Sequence, residues 1–208
     1  MAVATRTSKS KHQMRTEETQ ARILDAAEAV FSEQGFDKTQ LEEVAARAGF
    51  TRGAIYAHYQ SKEDLFLALV EQRVLTRFKK VRQAIEAESS IGKRPGIFRE
   101  WITAQAEDHT WGTLMLEFKL YALRRPESRE KLIHLFELMT RASGNDFIEL
   151  LFGANLDKTS RAAAERRLVL LGSILSAVNL ESQYRPKLMS KQHLQPVLDE
   201  LFRALIHA

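Results

Sequence analysis

The sequence contains no cysteine, and only four prolines and nine glycines occur among its 208 residues. A chain without cysteine has neither disulfide bonds nor thiolate metal sites, and it suits a reducing cytoplasm. No apolar run is long enough to span a bilayer, and the N-terminus lacks the apolar core of a signal peptide. We therefore expect a cytoplasmic protein without a membrane partner.

The motifs of common enzyme classes are also missing. The sequence has no G-x-S-x-G, no G-x-G-x-x-G and no P-loop. It has no H-E-x-x-H, and no Glu-x-x-His pair of the kind that binds di-iron in helical bundles. The six histidines show no metal-ligand spacing. We therefore predict a protein that is not an enzyme, with no catalytic residue, no bound metal and no cofactor.

Helical periodicity dominates what is present. Apolar residues recur three and four positions apart through most of the chain, and no useful length alternates as a strand does. We predict an all-α fold, with a helix over about 61–88 and a Gly-, Ser- and Pro-rich break at 89–96. Further helices are expected near 96–109, 110–124, 127–153, 159–184 and 190–207.

The most informative stretch covers residues 39–62. Thr39 and Glu42 match the T-x-x-E capping box that opens a helix. Gly49 is expected to end that helix at a positive φ, and Thr51 to cap the next one. Ile55 would fill the angle between the two helices. This spacing predicts a helix-turn-helix, whose second helix enters a DNA major groove, with an ordinary helical hairpin as the alternative.

Charge in the same stretch favours DNA as the partner. Residues 44–62 contain no Asp or Glu, while Arg47, Arg52, His58 and Lys62 all occur there. A surface that approaches phosphates has this composition. Residues 1–15 are basic and free of acids. We predict that residues 1–16 lack fixed structure and form either an arm that follows DNA or a solvated tail.

The run TRGAIYAHYQSKEDL at residues 51–65 resembles the signature of TetR-type bacterial transcriptional regulators. ARILDAA at 21–27, then Phe31, QGF at 34–36 and Thr39, resemble the family's first helix and its turn. The resemblance covers about residues 17–70. It implies a helix-turn-helix domain over 17–62, formed by three helices, and a helical ligand-binding and dimerisation domain over 63–208.

The resemblance also implies a function: a dimeric repressor that binds a palindromic operator in double-stranded DNA and is released by a small-molecule inducer. The alternatives are an activator or a constitutive repressor without a ligand, and more remotely a helical small-molecule-binding protein or an enzyme. By motif position, the DNA-binding residues would be Thr39, Thr51, Arg52, Gly53, Tyr56, His58, Tyr59 and Lys62.

Among these residues, Arg52 is the expected base reader, because its fork matches guanine O6 and N7. Phosphate contacts are expected from Thr39, Tyr56, Tyr59 and Lys62. Two alternatives stay open. His58 and Tyr59 can instead belong to the interior, and Arg47 can be a solvated charge.

The last two helices carry more apolar surface than one fold easily hides. Residues 167–180 are apolar nearly all round, and Gly172, Ser173, Ser176 and Ala177 would let another helix approach closely. We predict a four-helix bundle between two copies, unless both helices pack within one protomer. The predicted dimerisation residues are Leu171, Ile174, Leu175, Val178, Leu198, Leu201, Phe202 and Leu205.

The resemblance implies a site for a small inducer between the middle helices, where aromatic residues gather. Trp111, Met115 and Phe118 share one helical face, which fits either a packed core or a pocket. Glu117 would bind a cationic or hydroxylated ligand, or pair with Arg124. His109 is a weaker candidate. The predicted ligand-binding residues are Trp101, Trp111, Met115, Glu117, Phe118, Tyr121 and Asn179.

Overall fold

The computed structural model describes residues 11–143, 145–153 and 157–206. All regular secondary structure in these ranges is helical, which confirms the all-α prediction. A short 3₁₀ turn, Ile91–Lys93, precedes the fifth of the helices. The helices are α1 (Lys11–Lys38), α2 (Leu41–Ala48), α3 (Arg52–Tyr56), α4 (Lys62–Ala87), α5 (Arg94–Ala106), α6 (His109–Leu123), α7 (Pro126–Ser143), α8 (Asn145–Phe152), α9 (Lys158–Tyr184) and α10 (Lys191–Ile206).

The chain forms two compact units, Met1–Val70 and Glu71–Ala208. In the first unit, the rings of Phe31, Phe36 and Phe66 pack together with centroid distances of 5.1 to 5.9 Å. The sequence-based division lay between residues 62 and 63. The units divide eight residues later, because the start of α4 buries Leu65, Phe66 and Leu69 in the first core.

The N-terminal end of α1 differs from expectation. The helix begins at Lys11, so residues 11–16, predicted to lack fixed structure, are helical. The physical reason is composition, since Lys, Gln, Met and Arg are good helix formers that extend α1 upstream. The rest of the predicted arm, residues 1–10, lies outside the described residues.

The core of the second unit combines the later part of α4 with α5, α8, α9 and α10. Its buried members are Val81, Ile85, Phe98, Ala106, Phe147, Leu151, Leu171, Leu175, Leu198 and Phe202. Leu171, Leu175, Leu198 and Phe202 were predicted to pair with a second copy, and the structure corrects this assignment. Helical spacing identifies a stripe that must be covered, but not whether the cover is the same chain or another one.

The remaining predicted dimerisation residues are not among the buried members of this core, although Leu201 packs against it. Ile174, Val178 and Leu201 are half-buried, and the side chain of Leu205 lies outside the described residues. On the other side of α9, Gly172, Ser173, Ser176 and Ala177 are exposed beside Val169 and Leu170. Val197 of α10 is exposed as well.

Two helix boundaries differ in the middle of the chain. The expected helix over 127–153 is two helices, α7 and α8. The α5–α6 junction falls at residues 107–108, because the Asp108 carboxylate accepts a hydrogen bond from the Trp111 amide at 3.1 Å and starts α6 there. Asp108 is an N-cap residue of the preferred kind.

No described helix has both the length and the apolar character needed to cross a membrane. Within the same residues, no three His, Cys, Asp or Glu side chains are grouped as metal ligands would be.

Gly112 of α6 lies against the buried amide of Asn179. That amide donates to the Ala106 carbonyl at 2.6 Å, and a Cβ atom on Gly112 would overlap the amide of Asn179. We predict that Gly112→Ala lowers the free energy of unfolding by about 1–3 kcal/mol through overpacking. Urea unfolding of both proteins at one concentration measures it.

Gly96→Ala in α5 is the matched control, because nothing lies within 4 Å of its added methyl group. It should cost no stability, since alanine is the better helix former. Equal losses for the two variants would contradict the close contact.

Candidate DNA-binding surface and ligand cavity

The turn between α2 and α3 has the predicted geometry. Gly49 ends α2 with φ +72° and ψ +31°, and the Phe50 amide donates to the Ala45 carbonyl at 2.9 Å. The Thr51 hydroxyl accepts from the Ala54 amide at 3.3 Å and caps α3. Ile55 is completely buried. These contacts confirm the helix-turn-helix interpretation of this stretch at the level of local structure.

Arg22 of α1 contacts the residues on both sides of the turn. Its guanidinium donates to the Ala48 carbonyl at 2.9 Å and lies 4.7 Å from the centre of the Phe50 ring. A cation at the C-terminal end of α2 is favoured by the helix dipole. Sequence reasoning missed this residue, because Arg22 and Ala48 are 26 positions apart and no local motif joins them.

Thr39 is not on the surface. Its side chain is 2% exposed, and its hydroxyl donates to the Gly35 carbonyl at 2.7 Å. The helix α2 begins at Leu41, after Gln40, whose side chain makes no capping hydrogen bond. The predicted capping box and the phosphate contact of the Thr39 side chain are therefore wrong. The Thr39 hydroxyl instead bonds the carbonyl of Gly35, the residue at which α1 departs from helical geometry with φ +79°.

Four predicted DNA-binding residues are exposed together on and beside α3: Thr51, Arg52, Gly53 and Tyr56. The Arg52 side chain is 66% exposed. A Cβ atom on Gly53 would meet only the Thr51 hydroxyl, at 3.9 Å, so the fold itself does not require glycine there. This face is open to a large ligand.

The other predicted contacts are more enclosed. Tyr59 is 8% exposed, and burial raises the pKa of its phenol, so it belongs to the core, as the alternative had it. His58 is half-buried, with its ring 6.3 Å from that of Tyr59. The Lys62 ammonium donates to the Asp37 carbonyl at 2.8 Å and lies 4.8 Å from the Phe36 ring.

Arg47 is paired rather than simply solvated. It bonds the Glu33 carboxylate at 2.6 Å, and this hydrogen bond lowers the pKa of Glu33. The pair joins α2 to α1 next to the turn.

Comparison with known proteins fits this geometry. Residues 23–69 match the family model described as bacterial regulatory proteins of the tetR family. Over these residues the chain is similar to the TetR family. The match covers α2, α3 and most of α1, together with the start of α4.

Curated relatives of the chain are named as transcriptional regulators. It is 30% identical over 122 residues to the uncharacterized HTH-type regulator YfiR of Bacillus subtilis, covering 57% of this chain and 58% of that protein. It is 48% identical over 61 residues to the HTH-type regulator AcrR of Shigella flexneri, covering 29% of this chain and 28% of that protein. The aligned segment thus spans less than two thirds of either relative.

Solved structures extend the fold similarity to the C-terminal unit. SmeT, the repressor of the Stenotrophomonas maltophilia multidrug efflux pump SmeDEF, has a TM-score of 0.57 and 26% identity, covering 89% of both chains. The fatty acid degradation regulator FadR from Bacillus halodurans has a TM-score of 0.63 and 20% identity, covering 96% of this chain and 97% of that one. The second comparison shows the fold alone.

A cavity of about 330 Å³ lies in the C-terminal unit, between the α5–α6 junction, α9 and α10. None of the seven predicted ligand residues lines it, whereas the weaker candidate His109 does. Its lining residues are Thr103, Ala106, Glu107, His109, Val178, Ser182, Met189, Leu194, Gln195 and Leu198.

The predicted ligand residues lie in other surroundings. Phe118 is fully buried, the Trp101 ring packs on Phe78 and Phe98, and the Asn179 amide is bonded to the Ala106 carbonyl. These contacts give all three residues a structural role, and their assignment to a ligand stays a prediction. Two of the other four carry a guanidinium over the ring: Arg73 lies over Trp111, and Arg125 lies over Tyr121. Met115 is half-buried, and Glu117 is exposed.

Asp108 connects the edge of the cavity to α4. Its carboxylate pairs with Arg77 at 2.7 Å and also with Arg73, and it caps α6 through the Trp111 amide. Burial alone would raise the pKa of Asp108, but the hydrogen bonds from Arg77 and Trp111 and the charges of both arginines hold it below its ordinary value. Its sequence neighbours Glu107 and His109 both line the cavity.

The two glycines of the helix-turn-helix should respond differently to alanine. Gly49→Ala places a side chain at φ +72°, which we expect to cost about 1–2 kcal/mol. Gly53→Ala should leave thermal stability unchanged or slightly raised, because its φ is not positive and its surroundings are open. Melting temperatures of the two variants check this. A larger loss from Gly53→Ala would contradict the turn geometry.

Proposed function

We propose that the chain is a sequence-specific DNA-binding transcriptional regulator, which acts as a dimeric repressor on a palindromic operator and is released by a small-molecule inducer. The observation that carries the proposal is the exposed face of α3, held by the turn at Gly49 in a domain that matches the TetR family. The chain around this face, residues 44–62, contains no acid.

In the proposed complex, α3 lies in the major groove. Arg52, at its first turn, reads a guanine through O6 and N7. Gly53 lets the backbone approach the duplex closely, while Thr51 and Tyr56 contact the sugar-phosphate backbone. Lys62 begins α4 and contributes positive charge near a phosphate. His58 stands half-buried at the edge of this surface.

The dimer is supported by the exposed side of α9. Gly172, Ser173, Ser176 and Ala177 are small, so a second helix can approach closely there, and Val169 supplies exposed apolar surface. Val197 offers the same on α10. A two-fold dimer presents two copies of α3, and such a dimer reads a palindrome.

Repression is supported by one relative in fold and sequence, since the 26% identical SmeT is named as a repressor. Activation by the same DNA-binding surface remains the alternative, because the position of an operator relative to a promoter decides it. A constitutive regulator without a ligand is the second alternative.

The cavity supports the response to a small molecule. A ligand there would touch Glu107 and His109, the neighbours of Asp108, and could shift the carboxylate that pairs with Arg73 and Arg77 of α4. Because α4 is one continuous helix from Lys62 to Ala87, such a shift would bias α4 between two positions. Release then requires the ligand to bind one of these states more tightly.

Two variants separate the roles on the DNA side. Arg52→Ala should weaken binding to the selected duplex by about 1–3 kcal/mol and relax preference at one base pair. Lys62→Ala should weaken binding to all duplexes similarly and flatten the dependence on salt. Fluorescence anisotropy on the selected and a scrambled duplex at several salt concentrations measures both. A changed sequence preference in Lys62→Ala, with Arg52→Ala silent, would contradict the assignment.

The ligand response is tested by separating binding from release. Compounds that raise the melting temperature should also free the operator; at 100 times Kd the gain is about 2.7 kcal/mol. Asp108→Asn keeps a residue able to cap α6 but removes the charge that pairs with the two arginines. We predict that this variant still shows the thermal shift and releases DNA poorly.

Unchanged release in Asp108→Asn would contradict the route through α4. A library in which no compound shifts the melting temperature or frees the DNA would favour the constitutive alternative.

A further inference from the structure

An acidic side chain touches the arginine that is proposed to read the operator. Glu42 of α2 forms an ion pair with Arg52, with 2.9 Å between the carboxylate Oε1 and the guanidinium Nε. The same guanidinium lies 5.2 Å from the centre of the Tyr56 ring. Arg52 is therefore held on one edge by a carboxylate from the neighbouring helix and on one face by an aromatic ring from its own helix.

Stability does not account for this contact. Both side chains are largely exposed, 66% for Arg52 and 45% for Glu42, and ion pairs between exposed side chains contribute little to folding. A carboxylate at the DNA-facing surface also repels phosphates. The carboxylate beside Arg52 therefore weakens DNA binding in general. A benefit of this contact would lie in the discrimination between DNA sequences.

The atoms involved indicate what that gain is. Glu42 contacts the guanidinium at Nε, on its side edge. A guanidinium also has an end-on pair of N–H donors, one on each terminal nitrogen, and a contact at Nε does not use that pair. Guanine offers two acceptors, O6 and N7, and a pair of N–H donors in fixed positions matches them. An arginine held at Nε can present its terminal groups without losing the contact to Glu42.

We propose that Glu42 is a positioning residue for base readout, which fixes the guanidinium of Arg52 so that its terminal nitrogens face a guanine and not a phosphate. The inference rests on the proposed function. Two effects act in the same direction. The clamp formed with Tyr56 restricts an otherwise mobile side chain before DNA binds, and the negative charge disfavours the use of Arg52 as a general phosphate contact.

The test compares Glu42→Ala with Glu43→Ala, since Glu43 is the exposed and equally charged neighbour on the first turn of α2. Each full-length variant is titrated with the selected duplex, with the same duplex mutated one base pair at a time, and with a scrambled duplex. Melting temperatures confirm that both variants are folded.

Both variants should bind the scrambled duplex more tightly, because each loses one negative charge. Only Glu42→Ala should lose discrimination: its preference for guanine at the pair read by Arg52 should fall about tenfold. Glu42→Gln keeps an acceptor for Nε and should retain part of the preference. In the double variant Glu42→Ala with Arg52→Ala, discrimination should be no lower than with Arg52→Ala alone.

Equal discrimination in Glu42→Ala and Glu43→Ala would overturn the proposal. So would a Glu42→Ala variant that binds every duplex more tightly with an unchanged base preference, because Glu42 would then only compete with DNA for Arg52. Failure of the proposed function looks different: the wild-type chain itself would show no preference between the selected and scrambled duplexes.

Discussion

The helix α3 has only five residues, from Arg52 to Tyr56, and a helix this short has no stability of its own in water. Its direction depends on the turn before it, where the backbone of Gly49 has a φ of +72°. Arg22 binds the carbonyl of Ala48 beside that turn, so α1 takes part in fixing it. The exposed face that the proposed function requires is thus imposed by tertiary contacts on a segment that could not hold it alone.

The contacts that place α3 also explain which side chains remain available to DNA. Ile55 and Tyr59 turn inward and fill the core, whereas Arg52 and Tyr56 turn outward. In the proposed complex Glu42 would also position Arg52, because α2 ends at the fixed turn and carries this carboxylate on its first turn. The position of α3 and the position of the Arg52 side chain, the proposed base reader, would then both be fixed before DNA binds.

Local chemistry could be read from the sequence, and distant contacts could not. The cap at Thr51, the turn at Gly49 and the burial of Ile55 follow from residues a few positions apart, and all three were predicted correctly. Thr39 matched a capping pattern, yet its hydroxyl donates a hydrogen bond to the Gly35 carbonyl. A sequence motif does not show which of two nearby partners a hydroxyl will bind. The Arg22–Ala48 contact joins residues 26 positions apart and leaves no local signal.

The C-terminal unit shows the same limit on a larger scale. Helical spacing marked Leu171 and Phe202 as covered, but their cover is the protomer's own core. Spacing likewise grouped aromatic residues on one face of α6, and the cavity formed elsewhere, at the α5–α6 junction. A cavity arises where packing is incomplete among several helices, which periodicity within one helix does not encode.

Selection of binders from a random duplex pool by the purified full-length chain, followed by footprinting, tests the central claim most directly. A short palindrome protected over two half-sites, about one helical turn apart, is the expected result. A pool in which no sequence is enriched, with weak binding at every salt concentration, would contradict DNA recognition by the α3 face.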